Sequence, residues 1–302
     1  MENITVKEYF KNLPEKEIVY YYSNPGNAGD ALIATGTFHL FDELGIEFVF
    51  INKNMGFDPR GKIVVYSGGG NFNHIYTEAR EFMESVHKYA KRLILLPHTI
   101  TNNEDLIGSF KSNVVLFARE RNSFEHIKRH SKGCLTCLDH DMALHLNLEK
   151  IWHLSYPPIW GMIFIKLYKK IIRSGDKDKL PSILKMNSIF WFETFSLFNN
   201  KCANFFRTDV EASGSELPAH NADLSVIYEF GTDNREIIEY TVWILLKYLK
   251  KFKKIKTDRL HICIAASLLK LDVVFYSNSY FKCKAVYEYS LKKIFPNIHW
   301  EA

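Results

Sequence analysis

Short apolar runs alternate with amphipathic segments through the first half of this 302-residue chain. The apolar runs, rich in Val, Ile, Leu and aromatic residues, occupy 18–22, 47–51, 62–67, 92–96, 113–118 and 134–139. The amphipathic segments occupy 30–44, 77–91 and 119–130. Strands that alternate with helices in this way predict a parallel sheet with helices on both faces. Because the runs are almost continuously apolar, the strands are expected to be buried on both sides.

The same alternation resumes after a break. The predicted strands lie at 188–192, 203–208, 224–228, 255–257 and 273–276, and the predicted helices at 235–250, 261–270 and 284–295. Two such halves predict an α/β fold of two Rossmann-like lobes with a cleft between them, in the manner of the glycosyltransferase-B architecture. We expect the lobes at 1–150 and 186–302, joined by an insertion or linker at 151–185.

The linker contains an amphipathic segment from Trp160 to Arg173. A helix here would carry its apolar residues on one face: Trp160, Ile163, Phe164, Leu167 and Ile171. It would carry its basic residues on the other: Lys166, Lys169, Lys170 and Arg173. This pattern is typical of a helix at an anionic membrane surface, and equally of a linker helix that packs on its own protein with a solvated basic face.

Composition places the chain among soluble globular proteins. The hydrophobic fraction is 47%, the charged fraction 24% and the formal net charge +5, a mild excess that favours anionic partners; we expect no nucleic-acid partner. Five cysteines, an odd count without a dense framework, indicate a reducing cytoplasm. The polar N-terminal residues and the lack of a long apolar stretch predict neither signal peptide nor membrane span.

Two glycine-containing stretches follow predicted strands. The first, Y-S-N-P-G-N-A-G-D, ends at Asp30, which is either a helix N-cap or a catalytic or sugar-binding group. The second, S-G-G-G-N-F-N at 67–73, predicts a binding loop where a ligand approaches the backbone. His98 and Arg119 end the next two strands, where structural and functional roles are both common. Neither a dinucleotide fingerprint nor a P-loop is present.

The sequence contains no complete metal-binding or nucleophile motif that we recognise. Cys134 and Cys137 are spaced like half a zinc site, but without a second half they are better read as buried strand cysteines. His140 and His145 lie nearby without recognisable ligand spacing. The chain has no G-x-S-x-G and no H-E-x-x-H sequence. We therefore predict no metal site.

The T-D-R-L-H sequence at 257–261 lies between a short strand and an apolar helix. Arg259 offers a charged fork suited to carboxylate or phosphate, and His261 can exchange a proton near neutral pH. The alternative is that Arg259 pairs with Asp258 while His261 caps the helix. Arg207 lies at the end of one predicted strand and Lys282 follows another, so the three basic groups and His261 together predict a pocket for a small, multiply charged anion.

These motifs, in this order, resemble the polysaccharide pyruvyl transferase family. They are N-x-G-D at 27–30, S-G-G-G-N at 67–71, L-P-H at 96–98, R-E-R at 119–121, F-R-T-D at 206–209, T-D-R-L-H at 257–261 and N-S-Y-x-K at 278–282. The resemblance implies a phosphoenolpyruvate pocket in the C-terminal lobe formed by Arg207, Arg259, Leu260, His261, Asn278 and Lys282. It implies an acceptor side in the N-terminal lobe formed by Asn27, Asp30, Gly69, Gly70, Asn71, His98 and Arg119.

The activity that the resemblance implies is transfer of pyruvate from phosphoenolpyruvate onto two hydroxyls of a hexose, as a ketal. Family habit suggests positions 4 and 6 of galactose in a lipid-linked or polymeric surface polysaccharide. His261 would be the proton donor, Asp30 the base and Arg259 the third catalytic residue, with no cofactor. The enzyme would be cytoplasmic, with or without peripheral attachment to the membrane. Two other readings stay open: a nucleotide-sugar glycosyltransferase, and a non-catalytic assembly protein held at the membrane by the segment from Trp160 to Arg173.

Overall fold

A computed structural model describes residues 4–13, 17–52, 56–156, 202–214 and 216–301. The first half forms a seven-stranded sheet in which every pairing is parallel, as predicted. Its strands are β1 (Val19–Tyr22), β2 (Phe48–Ile51), β3 (Ile63–Tyr66), β4 (Gly69–Phe72), β5 (Arg92–Ile100), β6 (Val114–Ala118) and β7 (Leu135–Leu138). The order across the sheet is β2-β1-β3-β5-β6-β7, and β4 pairs with β5 beyond the end of β3.

Helices precede, connect and follow the strands of this sheet. They are α1 (Val6–Lys11), α2 (Ala28–Leu44), α3 (Glu78–Val86), α4 (Glu104–Ser109), α5 (Arg121–His130) and α6 (Leu148–His153), with a 3₁₀ turn at Met142–His145. The predicted helices at 30–44, 77–91 and 119–130 correspond to α2, α3 and α5. No helix in the described part of the chain is long and apolar enough to cross a bilayer.

The second half forms a four-stranded parallel sheet in the order β11-β10-β9-β8. Its strands are β8 (Cys202–Phe205), β9 (Lys254–Thr257), β10 (Asp272–Tyr276) and β11 (Ile298–Glu301). Its helices are α7 (Leu224–Ile227), α8 (Arg235–Leu249), α9 (Leu260–Leu268), α10 (Lys282–Val286) and α11 (Lys292–Ile294), with a π-helical segment at Tyr287–Leu291. The chain is thus an α/β protein built on two parallel sheets.

The predicted strand at 224–228 is wrong, because this segment is the short helix α7. The backbone N–H groups of Val226 and Ile227 donate to the carbonyl oxygen of Asp223, at 3.1 Å and 3.0 Å, which closes a helical turn. An apolar run this short does not distinguish a strand from a buried helical turn. The predicted strand at 188–192 and the predicted helix from Trp160 to Arg173 lie outside the described residues.

The glycine-rich stretch at 67–73 was predicted as a loop, but it contains the strand β4. Gly69 has φ of 151°, a conformation that residues with a side chain rarely adopt. It lets the chain turn after β3 and pair again along the second half of β5. Pro97 lies in β5 where the register with β6 shifts between Leu95 and His98, the kind of irregularity at which a sheet tolerates proline.

Helix α2 joins the two halves. It is buried along most of its length and packs against α8 and against the 3₁₀ turn at Met142–His145. One hydrophobic core consequently contains residues of both halves, including Ile33 and Phe41 of α2 and Leu245 and Leu249 of α8. The halves are therefore in continuous apolar contact below the ends of their strands.

We expect Gly36→Ala to destabilise the protein by about 1–3 kcal/mol, the usual cost of overpacking. A β-carbon on Gly36 would lie 2.0 Å from the backbone carbonyl oxygen of Met142, so either α2 or the 3₁₀ turn must move. Denaturant unfolding measures this change. Gly108→Ala in α4 is the control, because its β-carbon meets nothing closer than 3.6 Å. Equal stability of both variants would contradict the close approach.

Candidate functional site

A pocket of about 250 Å³ lies where strand ends of both halves meet. Its N-terminal side comes from the loop after β1, from β4, from the start of α3 and from the end of β6. Its C-terminal side comes from the segments that follow β8 and β9 and from the starts of α7 and α10. The lining residues are Asn24, Pro25, Gly26, Asn27, Asp30, Gly70, Asn71, Tyr76, Glu78, Arg119, Arg207, Asp209, Glu211, Ser225, Arg259, Leu260, His261 and Lys282.

Two buried arginines share one carboxylate in this pocket. Asp209 Oδ1 accepts a hydrogen bond from Arg207 Nε at 2.8 Å. Its Oδ2 forms a salt bridge with Arg259 Nη1 at 2.8 Å. Arg259 also donates from Nε and Nη2 to the buried Asp223. The alternative that Arg259 pairs with Asp258 is therefore wrong, since Asp258 instead accepts from the backbone N–H of Arg207 at 2.8 Å. Both guanidinium groups are fixed by carboxylates before any ligand arrives.

Lys282 completes the group of cations. Its ammonium donates to Glu211, which also pairs with Arg207 Nη1 at 2.6 Å. Burial lowers the pKa of Lys282, and the Glu211 charge opposes this. Burial alone would raise the pKa of Glu211, but Lys282 and Arg207 outweigh it and lower that pKa.

The pocket lining is balanced in formal charge when His261 is neutral. Four basic side chains line it, namely Arg119, Arg207, Arg259 and Lys282. Four acidic side chains line it as well, namely Asp30, Glu78, Asp209 and Glu211. The sequence predicted the basic residues of an anion pocket, and the structure shows that acidic side chains pair with them. An anionic ligand would therefore enter a site whose arginines and lysine already have carboxylate partners.

His261 lies in the first turn of α9 and contacts a buried aspartate. Its Nε2 is 3.3 Å from Asp141 Oδ2, and the same oxygen accepts from Arg119 Nη1 at 2.8 Å. Asp141 is fully buried. Burial raises the pKa of Asp141, but the charges of His261 and Arg119 outweigh it and hold that pKa far below its ordinary value. Asp141 therefore links a cation of the first half to the imidazole of the second.

Gly29 lies beside the His261 imidazole, at Nδ1. We expect Gly29→Ala to lower kcat roughly 10- to 100-fold, because a small displacement of a catalytic group from its working position is costly. A β-carbon on Gly29 would lie 2.7 Å from His261 Nδ1, so the ring must move. Steady-state kinetics and a melting curve measure the effect, with Gly108→Ala as control. Unchanged kcat in a folded Gly29→Ala variant would show that the position of the ring does not matter.

Asp30 reaches the pocket from the first turn of α2. Its oxygens accept hydrogen bonds from Asn24 Nδ2 at 2.6 Å and from the backbone N–H of Asn27 at 3.0 Å. Asn27 is the N-cap and Asp30 completes its capping box. Loss of solvation raises the pKa of Asp30, against the opposing charge of His261 and these hydrogen bonds. Asp30 is thus both a structural cap and a carboxyl group with a raised proton affinity.

Three predicted site residues do not line the pocket. His98 is fully buried behind β4, where its Nε2 accepts from the backbone N–H of Asn71 at 3.1 Å. Burial and the charge of Arg119 hold the pKa of His98 well below its ordinary value. Gly69 lies in the same layer, against Asn24 and His98. Asn278 is buried, and its side-chain amide has no hydrogen-bond partner among the described residues. The other ten predicted residues line the pocket.

Asp258 lies beneath the arginines, and burial raises its pKa from 3.8 to about 6, against the opposing hydrogen bond and charge of Arg207. Between these values the folded state binds more protons than the unfolded state, so stability falls as pH rises from about 4 to 6. One pKa unit corresponds to about 1.4 kcal/mol, so the total loss is on the order of 3 kcal/mol.

We expect Asp258→Asn to remove this loss, because an amide oxygen still accepts from the backbone of Arg207 and carries no charge. The variant should gain stability relative to the wild type as pH rises from 4 to 7. Urea unfolding at several pH values measures the difference. The exposed Asp272→Asn is the control. A constant difference across this range would contradict the raised pKa.

Several residues that line the pocket or pair with its basic side chains were not among the sequence candidates. Asp141 lies two residues after the predicted strand at 134–139, so the rule that sites gather at strand ends could have found it. Asp209 belongs to the F-R-T-D motif but was not assigned a role. Glu211, Asp223 and Tyr76 carry no local signal, because only the folded loops bring them to the arginines. All five cysteines are free. Cys137 is a buried strand cysteine as predicted, but the prediction is wrong for Cys134, which precedes β7 and is only partly buried.

Together, the parallel α/β fold and the pocket of paired cations at its strand ends are typical of an enzyme that acts on an anionic substrate. A family model described as polysaccharide pyruvyl transferase matches residues 27–280, and the chain belongs to this family. It is therefore a transferase of the pyruvyl transferase type, as the sequence motifs predicted.

Two relatives extend the comparison. The chain is 26% identical over 290 residues to a protein named "Putative pyruvyl transferase EpsO" of Bacillus subtilis (strain 168), covering 89% of this chain and 84% of that protein. It is also similar to the crystal structure of a functionally uncharacterized protein from Klebsiella pneumoniae subsp. pneumoniae NTUH-K2044. That similarity has a TM-score of 0.73 and 28% sequence identity, and covers 100% of both chains.

Proposed function

We propose that this enzyme transfers pyruvate from phosphoenolpyruvate to two hydroxyls of a hexose in a surface polysaccharide, forming a cyclic ketal and releasing phosphate. The observation that carries the proposal is the convergence of Arg207, Arg259 and Lys282 with His261 and Asp30 on one pocket. A donor with a carboxylate at one end and a phosphate at the other needs several converging cations. The reaction also needs a proton donor and a base, for which His261 and Asp30 are the candidates.

The position of Asp209 between the two arginines indicates where the donor's anionic group would bind. Its carboxylate bridges Arg207 and Arg259, which is the contact that a substrate carboxylate or phosphate would make with the same two guanidinium groups. Asp209 is about a third exposed, whereas Asp223 is almost fully buried. We infer that the donor displaces Asp209 while Asp223 continues to hold Arg259 in place.

The proposed chemistry follows from the structure of the donor. His261 protonates the methylene carbon of phosphoenolpyruvate, which leaves positive charge at C2. A sugar hydroxyl attacks C2 and gives its proton to Asp30. A second hydroxyl then forms the second C–O bond at C2 as the C–O bond to phosphate breaks, and the phosphate leaves with that hydroxyl's proton. The cations stabilise the negative charge on the departing phosphate.

The acceptor side is proposed to be the surface formed by Asn27, Asp30, Gly70, Asn71 and Arg119. We propose that it faces the donor across a glycosyltransferase-B-like cleft, because these residues come from the first half and the cations come mainly from the second. Galactose modified at positions 4 and 6, on a lipid-linked or polymeric acceptor, is the proposed substrate. Attachment to the cytoplasmic face of the membrane through residues 160–173 stays a prediction, which liposome co-sedimentation with and without that segment would test.

Incubation with phosphoenolpyruvate and a panel of acceptor glycans, read by mass spectrometry, tests the proposed function. We expect pyruvate to be added to one class of hexose acceptor, with one phosphate released for each pyruvate added. Nucleotide sugars should support no transfer. Transfer of a sugar from a nucleotide donor would favour a glycosyltransferase instead, and neither activity in a folded protein would favour an assembly role.

A further inference from the structure

A second cluster of polar side chains lies between α4 and α5, outside the pocket. Among the described residues, Glu104, His126 and His130 bring their ligand atoms within 4.8 Å of one another. His126 and His130 are four residues apart and so lie on one face of α5, with ring centroids 4.9 Å apart. Glu104, the first residue of α4, places Oε1 3.8 Å from His126 Nε2.

The backbone carbonyl oxygen of Asn102 lies beside the two histidines and Glu104. His126 Nε2 donates a hydrogen bond to the carbonyl oxygen of Asn102 at 2.9 Å, and a metal ion bound at this nitrogen would replace the shared proton. Asn102 and Asn103 both have positive φ, 57° and 61°, an uncommon conformation for residues other than glycine. This turn directs the Asn102 carbonyl toward α5 and starts α4 with Glu104 facing the histidines.

Asp105, the acidic residue next to Glu104, is held away from the two histidines by other contacts. Asp105 accepts two hydrogen bonds from Arg80, at 3.0 Å and 2.6 Å. Arg80 also donates to the side chain of Asn103 at 2.9 Å. These contacts fix the turn and leave Glu104 as the carboxylate that faces His126 and His130.

We propose that Glu104, His126 and His130 bind one zinc ion, which joins α4 to α5. Two imidazoles and a carboxylate are a donor set that zinc uses, and they leave a fourth position for water or a backbone oxygen. Zinc–nitrogen bonds of about 2.0–2.1 Å place tetrahedral ligands about 3.4 Å apart, so modest side-chain rotations at this partly exposed surface complete the site. The imidazoles select zinc over magnesium, which prefers oxygen ligands.

The site would stabilise the strand ends near the pocket. Helix α4 follows β5 after three residues, and α5 follows Arg119 of the pocket after one. An ion bound by both helices stabilises the folded protein, because its ligands come together only in the folded state. This proposal does not depend on the proposed function, since neither the histidines nor Glu104 line the pocket.

Zinc titration of the metal-free, tag-free protein tests the proposal, by calorimetry and by melting curves. We expect one zinc per chain and a rise in Tm with ZnCl₂ but not with MgCl₂. His130→Asn and Glu104→Gln should each weaken zinc binding at least about tenfold, with metal-free Tm values near that of the wild type. The exposed His299→Asn should bind zinc as the wild type does. Equal zinc binding by the wild type and a His126→Asn/His130→Asn double variant would overturn the proposal, as would an equal rise in Tm with magnesium.

Discussion

His261→Ala should lower kcat by about 10²–10⁴-fold, the contribution expected of a well-placed proton donor or acceptor. The imidazole is the group that lies between Asp141 and Gly29, and the alanine side chain has no proton to give. Binding of phosphoenolpyruvate should change much less, because Arg207, Arg259 and Lys282 are unaffected. Single-turnover kinetics and a binding titration on the same variant separate the two effects.

The control for this prediction is His299→Ala, which removes an exposed histidine on β11. It should retain wild-type kcat and Tm. The buried Asp141 adds a second check, because Asp141→Asn weakens the contact that positions His261 without removing the imidazole. Its kcat should fall between those of the wild type and His261→Ala. Full activity in a folded His261→Ala protein would exclude His261 from the chemistry.

Arg259→Lys should raise the KM for phosphoenolpyruvate by about ten- to a hundredfold, because hydrogen bonds to charged groups contribute roughly 1.5–3 kcal/mol each. The guanidinium uses Nε and Nη2 for Asp223 and Nη1 for Asp209. A lysine ammonium is a single point and cannot make both contacts in the same geometry. Phosphoenolpyruvate would then lose the guanidinium nitrogen, Arg259 Nη1, that now contacts Asp209.

A matched control is available on the surface. Arg235 also binds a carboxylate with two nitrogens, Nη1 and Nη2 to Asp42 at 2.9 Å and 2.6 Å, but it is partly exposed and lies outside the pocket. Arg235→Lys should leave the KM unchanged. Melting curves of both variants show whether any loss comes from unfolding. Equal KM values for Arg259→Lys and the wild type would show that the fork of Arg259 is not part of the donor site.

The sequence predicted the strands best where apolar residues are continuous. The runs that became β3, β5 and β6 are buried on both sides, so their composition alone identifies them. The segment at 224–228 is also largely apolar, but it is too short to distinguish a strand from a helix. The glycines at 68–70 signalled a close approach of the backbone, and only the pairing with β5 shows that they also lead into a strand.

The sequence predicted the basic residues of the site but not the acidic residues that pair with them. Strand-end positions and motif order indicated Arg207, Arg259, His261 and Lys282, which all line the pocket. The acids that pair with them were not predictable, because Asp223 and Glu211 are brought to the arginines by loop conformations that leave no periodic signal. The buried position of His98 likewise depends on β4 covering it, which no local pattern reveals.

Calorimetric titration with phosphoenolpyruvate at neutral pH tests the central claim most directly, namely that the paired arginines hold this donor. Saturable binding at one site per chain is expected for the wild type. Binding should be lost in an Arg207→Ala/Arg259→Ala variant and retained in His261→Ala. No binding to the folded wild type, or equal binding by the double arginine variant, would contradict the account.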